Sequence, residues 1–101
     1  MQDITVQELK TRMDQGEKLM IIDVREPWEF EEFNINGKLI PLSELPGNVD
    51  DLSEYKDNEI IVHCRSGARS ATAKAFLEQQ GFSKVRNLLG GMMDWQANFG
   101  G

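Results

Sequence analysis

Cys64 is the single cysteine of this 101-residue chain, and it is followed directly by Arg65-Ser66-Gly67-Ala68-Arg69-Ser70. A lone cysteine cannot form an intramolecular disulfide, and with His63 as the only other soft ligand no zinc spacing is recognisable. Cys64 is therefore either a buried filler or a reactive thiol, and its neighbours decide. Gly67 allows a backbone conformation closed to other residues, so successive loop N–H groups can converge on one point. A helix starting after the loop adds unpaired N–H groups and the positive end of its dipole. Arg65 and Arg69 add permanent positive charge. The spacing predicts an anion-cradling loop with the Cys64 sulfur at its rim.

Such a loop changes what the thiol can do. A free cysteine with a pKa near ~8.5 is only a few per cent thiolate at neutral pH. Lowering that pKa by about two units takes about 2.7 kcal/mol of preferential anion stabilisation. A helix N-terminus contributes about 0.3–1 kcal/mol, up to ~2 when partly buried. Hydrogen bonds to a charged group add roughly 1.5–3 kcal/mol each. The loop can supply the shift without a histidine base, which makes Cys64 a candidate pre-ionised nucleophile. The same cradle suits a persulfide terminus or the oxygens of a bound oxyanion.

The elements that must position this loop are legible in the apolar runs. Leu19-Met20-Ile21-Ile22-Asp23-Val24 and Ile60-Ile61-Val62-His63-Cys64 are nearly continuous, the pattern of strands covered on both faces in a parallel sheet. Lys38-Leu39-Ile40 reads as a short strand after the Asn36-Gly37 turn, and Val85 to Leu89 as a further one. Thr5-Val6-Gln7-Glu8 has the pattern of a capping box opening a helix that ends near Gly16. Trp28 to Phe33 reads as a short acidic helix with Pro27 in its first turn, and Ser43 to Tyr55 as an irregular helical stretch. The helix after the loop runs to about Gln80, with Ala68, Ala71 and Ala75 expected against the sheet. Met92 to Ala97 gives a last helical turn. Strands alternating with helices predict an α/β fold with a mainly parallel sheet, in one domain over residues 1–101. In such folds ligands bind outside the carboxyl ends of the strands, where this loop lies.

Composition narrows the partners. Hydrophobic residues at 40% and charged residues at 28% indicate a soluble globular domain. Eleven basic against 17 acidic residues give a net charge of −6, which argues against nucleic acid or an anionic membrane as partner. No apolar run is long enough to span a bilayer, and Met1-Gln2-Asp3-Ile4 lacks the features of an export signal, so a cytoplasmic location is expected. No cofactor and no metal are expected.

At the loop the sequence resembles a known family. Cys64-Arg65-Ser66-Gly67-Ala68-Arg69-Ser70 is similar to the active-site loop of the rhodanese-like sulfurtransferases. Asp23-Val24-Arg25-Glu26-Pro27-x-Glu29-Phe30, Ile35-x-Gly37-x-x-Ile40-Pro41-Leu42 and Leu88-x-Gly90-Gly91-x-x-x-Trp95 resemble three further signatures of the family, in the right order. The resemblance implies a three-layer α/β/α rhodanese-like fold. It also implies a two-step cycle in which Cys64 takes a sulfane sulfur from thiosulfate or a persulfide, then passes it to a thiol or cyanide. A protein thiol is a further acceptor, and a carrier loaded by a dedicated protein is the alternative to turnover. In this reading Cys64 is the nucleophile, and the N–H groups of Arg65, Ser66, Gly67, Ala68 and Arg69 hold the sulfur. The two arginine side chains attract the small anionic donor, and Asp23 and Arg25 fix the loop from behind. Phosphatases of the same fold have five residues between cysteine and arginine; here four intervene, as in the sulfur-transfer branch. Asn34 and His63 depart from the family's usual histidine and apolar residue.

Several residues have simpler assignments. His63 should point to the sheet face opposite Cys64 and be structural. Asp23 and Arg25 are most simply an ion pair, Trp28 and Trp95 core or rim packing, and Glu26, Glu29, Glu31 and Glu32 a solvated face.

Overall fold

The two apolar runs become neighbouring strands at the centre of one sheet. In the computed structural model, which describes residues 1–100, β1 (Met20–Asp23) pairs in parallel with β3 (Ile60–His63), Ile22 opposite Val62 and Asp23 opposite His63. β2 (Lys38–Leu39) flanks β1 and β4 (Val85–Asn87) flanks β3, so the order is β2-β1-β3-β4 and every pairing is parallel. The expected α/β architecture is the one observed.

Both sheet faces are covered, which is why the central strands are apolar throughout. On one face Ile22, Val24, Val62 and Cys64 pack with Ala73 and Leu77 of α3 (Ala68–Gln79). On the other, Ile21 and Ile61 pack with Val6 and Leu9 of α1 (Val6–Asp14) and with Met92 and Trp95 of α4 (Gly91–Phe99). The chain steps from β1 outward to β2, and from β3 outward to β4 on the opposite side. The strand order therefore reverses between β1 and β3, and the crevice at their carboxyl ends is the place where such sheets bind ligands. Asp23 and His63-Cys64 lie there.

Local differences from the sequence reading have physical causes. Thr5 caps α1 by accepting the Glu8 N–H at 3.1 Å, but the Glu8 carboxylate pairs with Arg86 instead of closing a box. A capping-type contact opens α2 (Pro27–Glu32) instead, where the Glu29 carboxylate accepts the Glu26 N–H at 3.0 Å and the Glu29 N–H donates to the Glu26 carbonyl at 3.0 Å. Residues after β2 form two 3-10 segments, Leu42–Asn48 and Ser53–Tyr55, rather than α-helical turns; Pro46 cannot donate a helical hydrogen bond. In α3 the buried face is Ser70, Ala73 and Leu77, and Ala68, Ala71 and Ala75 are exposed. Ser70 is drawn inward by hydrogen bonding, and that sets the rotation of the helix. Among the described residues no helix is long and apolar enough to cross a membrane.

Candidate active site

Alternation along β3 turns Ile60, Val62 and Cys64 toward α3, so the sulfur enters the core on that side. The loop then folds back over it. Gly67 has φ +108° and is the residue that caps α3, yet it has no side chain to accept the helix's first N–H groups. Cys64 Sγ does this instead. It accepts the Ser70 N–H at 3.4 Å, the third residue of the helix and the usual target of a capping side chain, and the Gly67 N–H at 3.1 Å. The Ser70 hydroxyl lies 3.4 Å from the same sulfur.

These donors act against desolvation. Burial pushes the Cys64 thiol up, and hydrogen bonds from the Ser70 hydroxyl and from the N–H groups of Ser70, Gly67 and Ser66 bring it below its ordinary value. The sulfur is thus set in a site that favours thiolate. It is not at the rim, however: Cys64 is 1% exposed, because the strand's alternation aims the side chain inward.

Residues of β4 and α4 that have no role in the sequence reading hold the loop in this shape. Met92 and Met93, at the start of α4, donate their N–H groups to the Cys64 and Arg65 carbonyls at 3.0 and 2.9 Å, which turns those carbonyls away from the sulfur. Gly91 makes that approach possible, since a Cβ there would lie 2.5 Å from the Cys64 carbonyl oxygen. Asn87, at the end of β4, donates to the Gly67 carbonyl at 3.1 Å and accepts the Ser70 hydroxyl at 2.5 Å. Ser70 and Gly91 stood inside recognisable motifs, whereas Asn87 carried no sequence signal.

On the other sheet face, Arg25 binds Asp23 through Nε at 2.9 Å and Nη2 at 2.7 Å, and reaches the Phe33 carbonyl at 2.8 Å. Both are buried and form the expected ion pair; among the described residues neither side chain hydrogen-bonds the Cys64 loop, so the expected fixing of the loop by this pair is not seen as a direct contact. His63 is on this face, with Nε2 3.7 Å from Asp23 Oδ2 and neither ring nitrogen hydrogen-bonded among the described residues. Burial, opposed by Asp23, lowers its pKa to about 4, so the ring is neutral at pH 7.

The remaining loop residues divide. Arg65, Ser66 and Ala68 are exposed, and Arg65 lines a cleft with Trp28, Phe33 and Met92. Arg69, expected to meet an anion, binds Glu29 with both terminal nitrogens, at 2.7 and 2.8 Å. Glu29 in turn is 8% exposed and does not belong to a solvated face, although Glu26, Glu31 and Glu32 do. The Arg69 bond outweighs burial and holds its carboxyl down at about 2. Trp95 is core, but Trp28 is 62% exposed and lies on the cleft wall.

Comparison with known proteins places this geometry. Residues 5–98 match the family model described as a rhodanese-like domain. The chain is 40% identical over 94 residues to the candidate sulfur carrier protein YrkF of Bacillus subtilis, covering 92% of this chain and 50% of that protein, so it spans half that relative's length. It is 35% identical to a protein of Allochromatium vinosum named sulfurtransferase, covering 92% of this chain and 86% of the relative. Among solved structures, a rhodanese-like domain protein from Staphylococcus aureus superposes with a TM-score of 0.84 at 33% identity, covering 94% of this chain and 91% of that one. Its sequence match over nearly all of its described residues and its shared fold agree: the chain belongs to the rhodanese-like domain family.

Proposed function

We propose that the protein is a sulfurtransferase that carries a sulfane sulfur on Cys64. The observation that carries this reading is the convergence of the Gly67 N–H and the Ser70 N–H on one sulfur, at 3.1 and 3.4 Å, with the Ser70 hydroxyl, itself held by Asn87, 3.4 Å from the same atom. Those donors stabilise the thiolate before reaction and can receive the terminal sulfur of a persulfide after it. Cys64 thiolate attacks the outer sulfur of thiosulfate or of an organic persulfide. The Sγ–S bond forms as the donor's S–S bond breaks, and sulfite or a thiolate leaves with the electron pair. Cyanide or an acceptor thiolate then attacks the outer sulfur of the Cys64 persulfide, giving thiocyanate or a new persulfide and restoring the Cys64 thiolate. Donor and acceptor use the same cradle in turn, so ping-pong kinetics are expected. The Arg65 to Arg69 segment binds the transferred sulfur, Arg65 attracts the anion, and the Asp23–Arg25 pair anchors the strand end behind the loop.

A second reading is favoured by the 1% exposure of Cys64, which hinders encounter with free small molecules. In it the protein is a carrier, loaded and unloaded by dedicated proteins with little turnover of small donors. One experiment separates the two. Purified protein and Cys64→Ser are supplied with thiosulfate or with cysteine persulfide, then with cyanide. Thiocyanate production that Cys64→Ser abolishes supports the enzyme. A mass increase of one sulfur on Cys64 without turnover supports the carrier. An unmodified Cys64 with every donor refutes both.

A further inference from the structure

Three arginines stand in or near the motifs that form the site, and they differ in what they hold. Arg25 is buried on Asp23, with Nη2 at 2.7 Å. Arg69 spends both terminal nitrogens on Glu29. Arg65 is exposed and has no ion-pair partner among the described residues. The one loop arginine placed in the first turn of α3, next to the sulfur's capping amides, is thus neutralised from within the chain.

Glu29 is not a surface carboxylate that a ligand would easily displace. It is 8% exposed, and its Oε1 also accepts the Glu26 N–H at 3.0 Å, which ties it to the start of α2. A guanidinium fork fits a carboxylate and a sulfonate in the same bidentate way. Glu29 therefore occupies the face of Arg69 that the oxygens of thiosulfate would need. Its charge also opposes a dianion brought to the same place. An organic persulfide has a different requirement. Its reacting end carries one negative charge, on the terminal sulfur, which the loop amides receive without Arg69. Its organic end has a mixed polar and apolar cleft of about 440 Å³ beside the loop, where Trp28, Phe33 and Met92 stand with Glu29, Glu32 and Gln96 and with the unpaired Arg65.

We propose that Glu29 is a specificity-determining residue: by holding Arg69 it disfavours dianionic oxyanion donors such as thiosulfate and selects organic persulfides as the sulfur donors of Cys64. The proposal rests on the sulfur-transfer reading and names its donor class. In the preferred step the Cys64 thiolate attacks the outer sulfur of R–S–S⁻. The Sγ–S bond forms, the donor's S–S bond breaks, and R–S⁻ departs with the electron pair, so no oxidant or reductant is consumed.

The test compares Glu29→Gln, which keeps the shape and the Glu26 bond while removing the charge, with the unmodified protein and with Glu29→Gln/Arg69→Met. Binding is read without turnover, by calorimetric titration of thiosulfate into the Cys64→Ser form of each. Turnover is read as the ratio of kcat/KM for thiosulfate to that for cysteine persulfide. Glu29→Gln is expected to tighten thiosulfate binding and raise the ratio about tenfold or more, the size of one released charge-assisted fork. The added Arg69→Met substitution should remove that gain, because the gain is carried by the freed guanidinium. A folded Glu29→Gln with thiosulfate affinity and donor ratio unchanged overturns the proposal, as does a gain that survives Arg69→Met. If the Gln variant does not fold, the unmodified protein still decides, since kcat/KM for thiosulfate equal to or above that for the persulfide overturns it. A Cys64 that takes sulfur from no donor sinks the transfer reading instead, and the thiosulfate titrations then decide by themselves whether Glu29 blocks Arg69.

Discussion

His63 gives the protein a pH-dependent stability whose size follows from its surroundings. The ring is fully buried, and neither nitrogen has a hydrogen-bond partner among the described residues. Burial opposes the charged form, the Asp23 carboxylate 3.7 Å away favours it, and Arg25 opposes it. Burial wins, and the folded pKa falls from 6.5 to about 4. A base with a depressed folded pKa takes up its proton more readily unfolded, so stability falls as pH drops from 6.5 toward 4. Between pH 7 and pH 5 the linkage amounts to roughly 2 kcal/mol for such a shift. The Glu29 and Glu59 carboxyls, held down at about 2 against an ordinary 4.5, lose their contribution only below this window, as pH falls from about 4.5 toward 2. Urea unfolding at pH 7 and pH 5, compared between the unmodified protein and His63→Leu, reads the histidine, because any contribution of the lowered Cys64 thiol is common to both. The unmodified protein should lose roughly 2 kcal/mol between them, and His63→Leu should lose little. At pH 7 His63→Leu should also be more stable by about 1 kcal/mol, because it removes a buried polar group that has no partner. A flat profile in the unmodified protein, or an undiminished slope in His63→Leu, refutes this account.

Two further predictions concern the loop. Gly67→Val should suppress sulfur transfer more than Arg65→Ala. Gly67 has φ +108°, which a β-branched residue resists, so the converging amides are displaced, whereas Arg65 contributes mainly attraction at the surface. Comparable activities of the two folded variants count against the amide cradle. Ser70→Ala removes the first of the groups that lower the Cys64 thiol, so the pKa read from the pH profile of alkylation should rise. An unshifted profile shows that the backbone amides alone set the thiol.

The chain order of elements and the position of the loop were legible without coordinates. Continuous apolar runs at 19–24 and 60–64 leave no polar face, and only a sheet covered on both sides accommodates such strands. A glycine between two arginines after such a strand, together with the family resemblance, pointed to Cys64 as the candidate nucleophile, because glycine's positive φ is a local property of the backbone. What lay beyond sequence reading is everything set by contacts between distant segments. Asn87 reaches the loop only because β4 lies beside β3. Gly91 matters only because α4 begins against the Cys64 carbonyl. Glu29, one of four nearby glutamates in the sequence, becomes a buried partner of Arg69, 40 residues away; the family signature includes it together with the exposed Glu26, and charge patterning alone does not separate it from the exposed three. Periodicity and turn chemistry are written into neighbouring residues. The partner of a charge and the depth of a sulfur are decided when remote segments compete for the same space, and only the folded chain holds that competition.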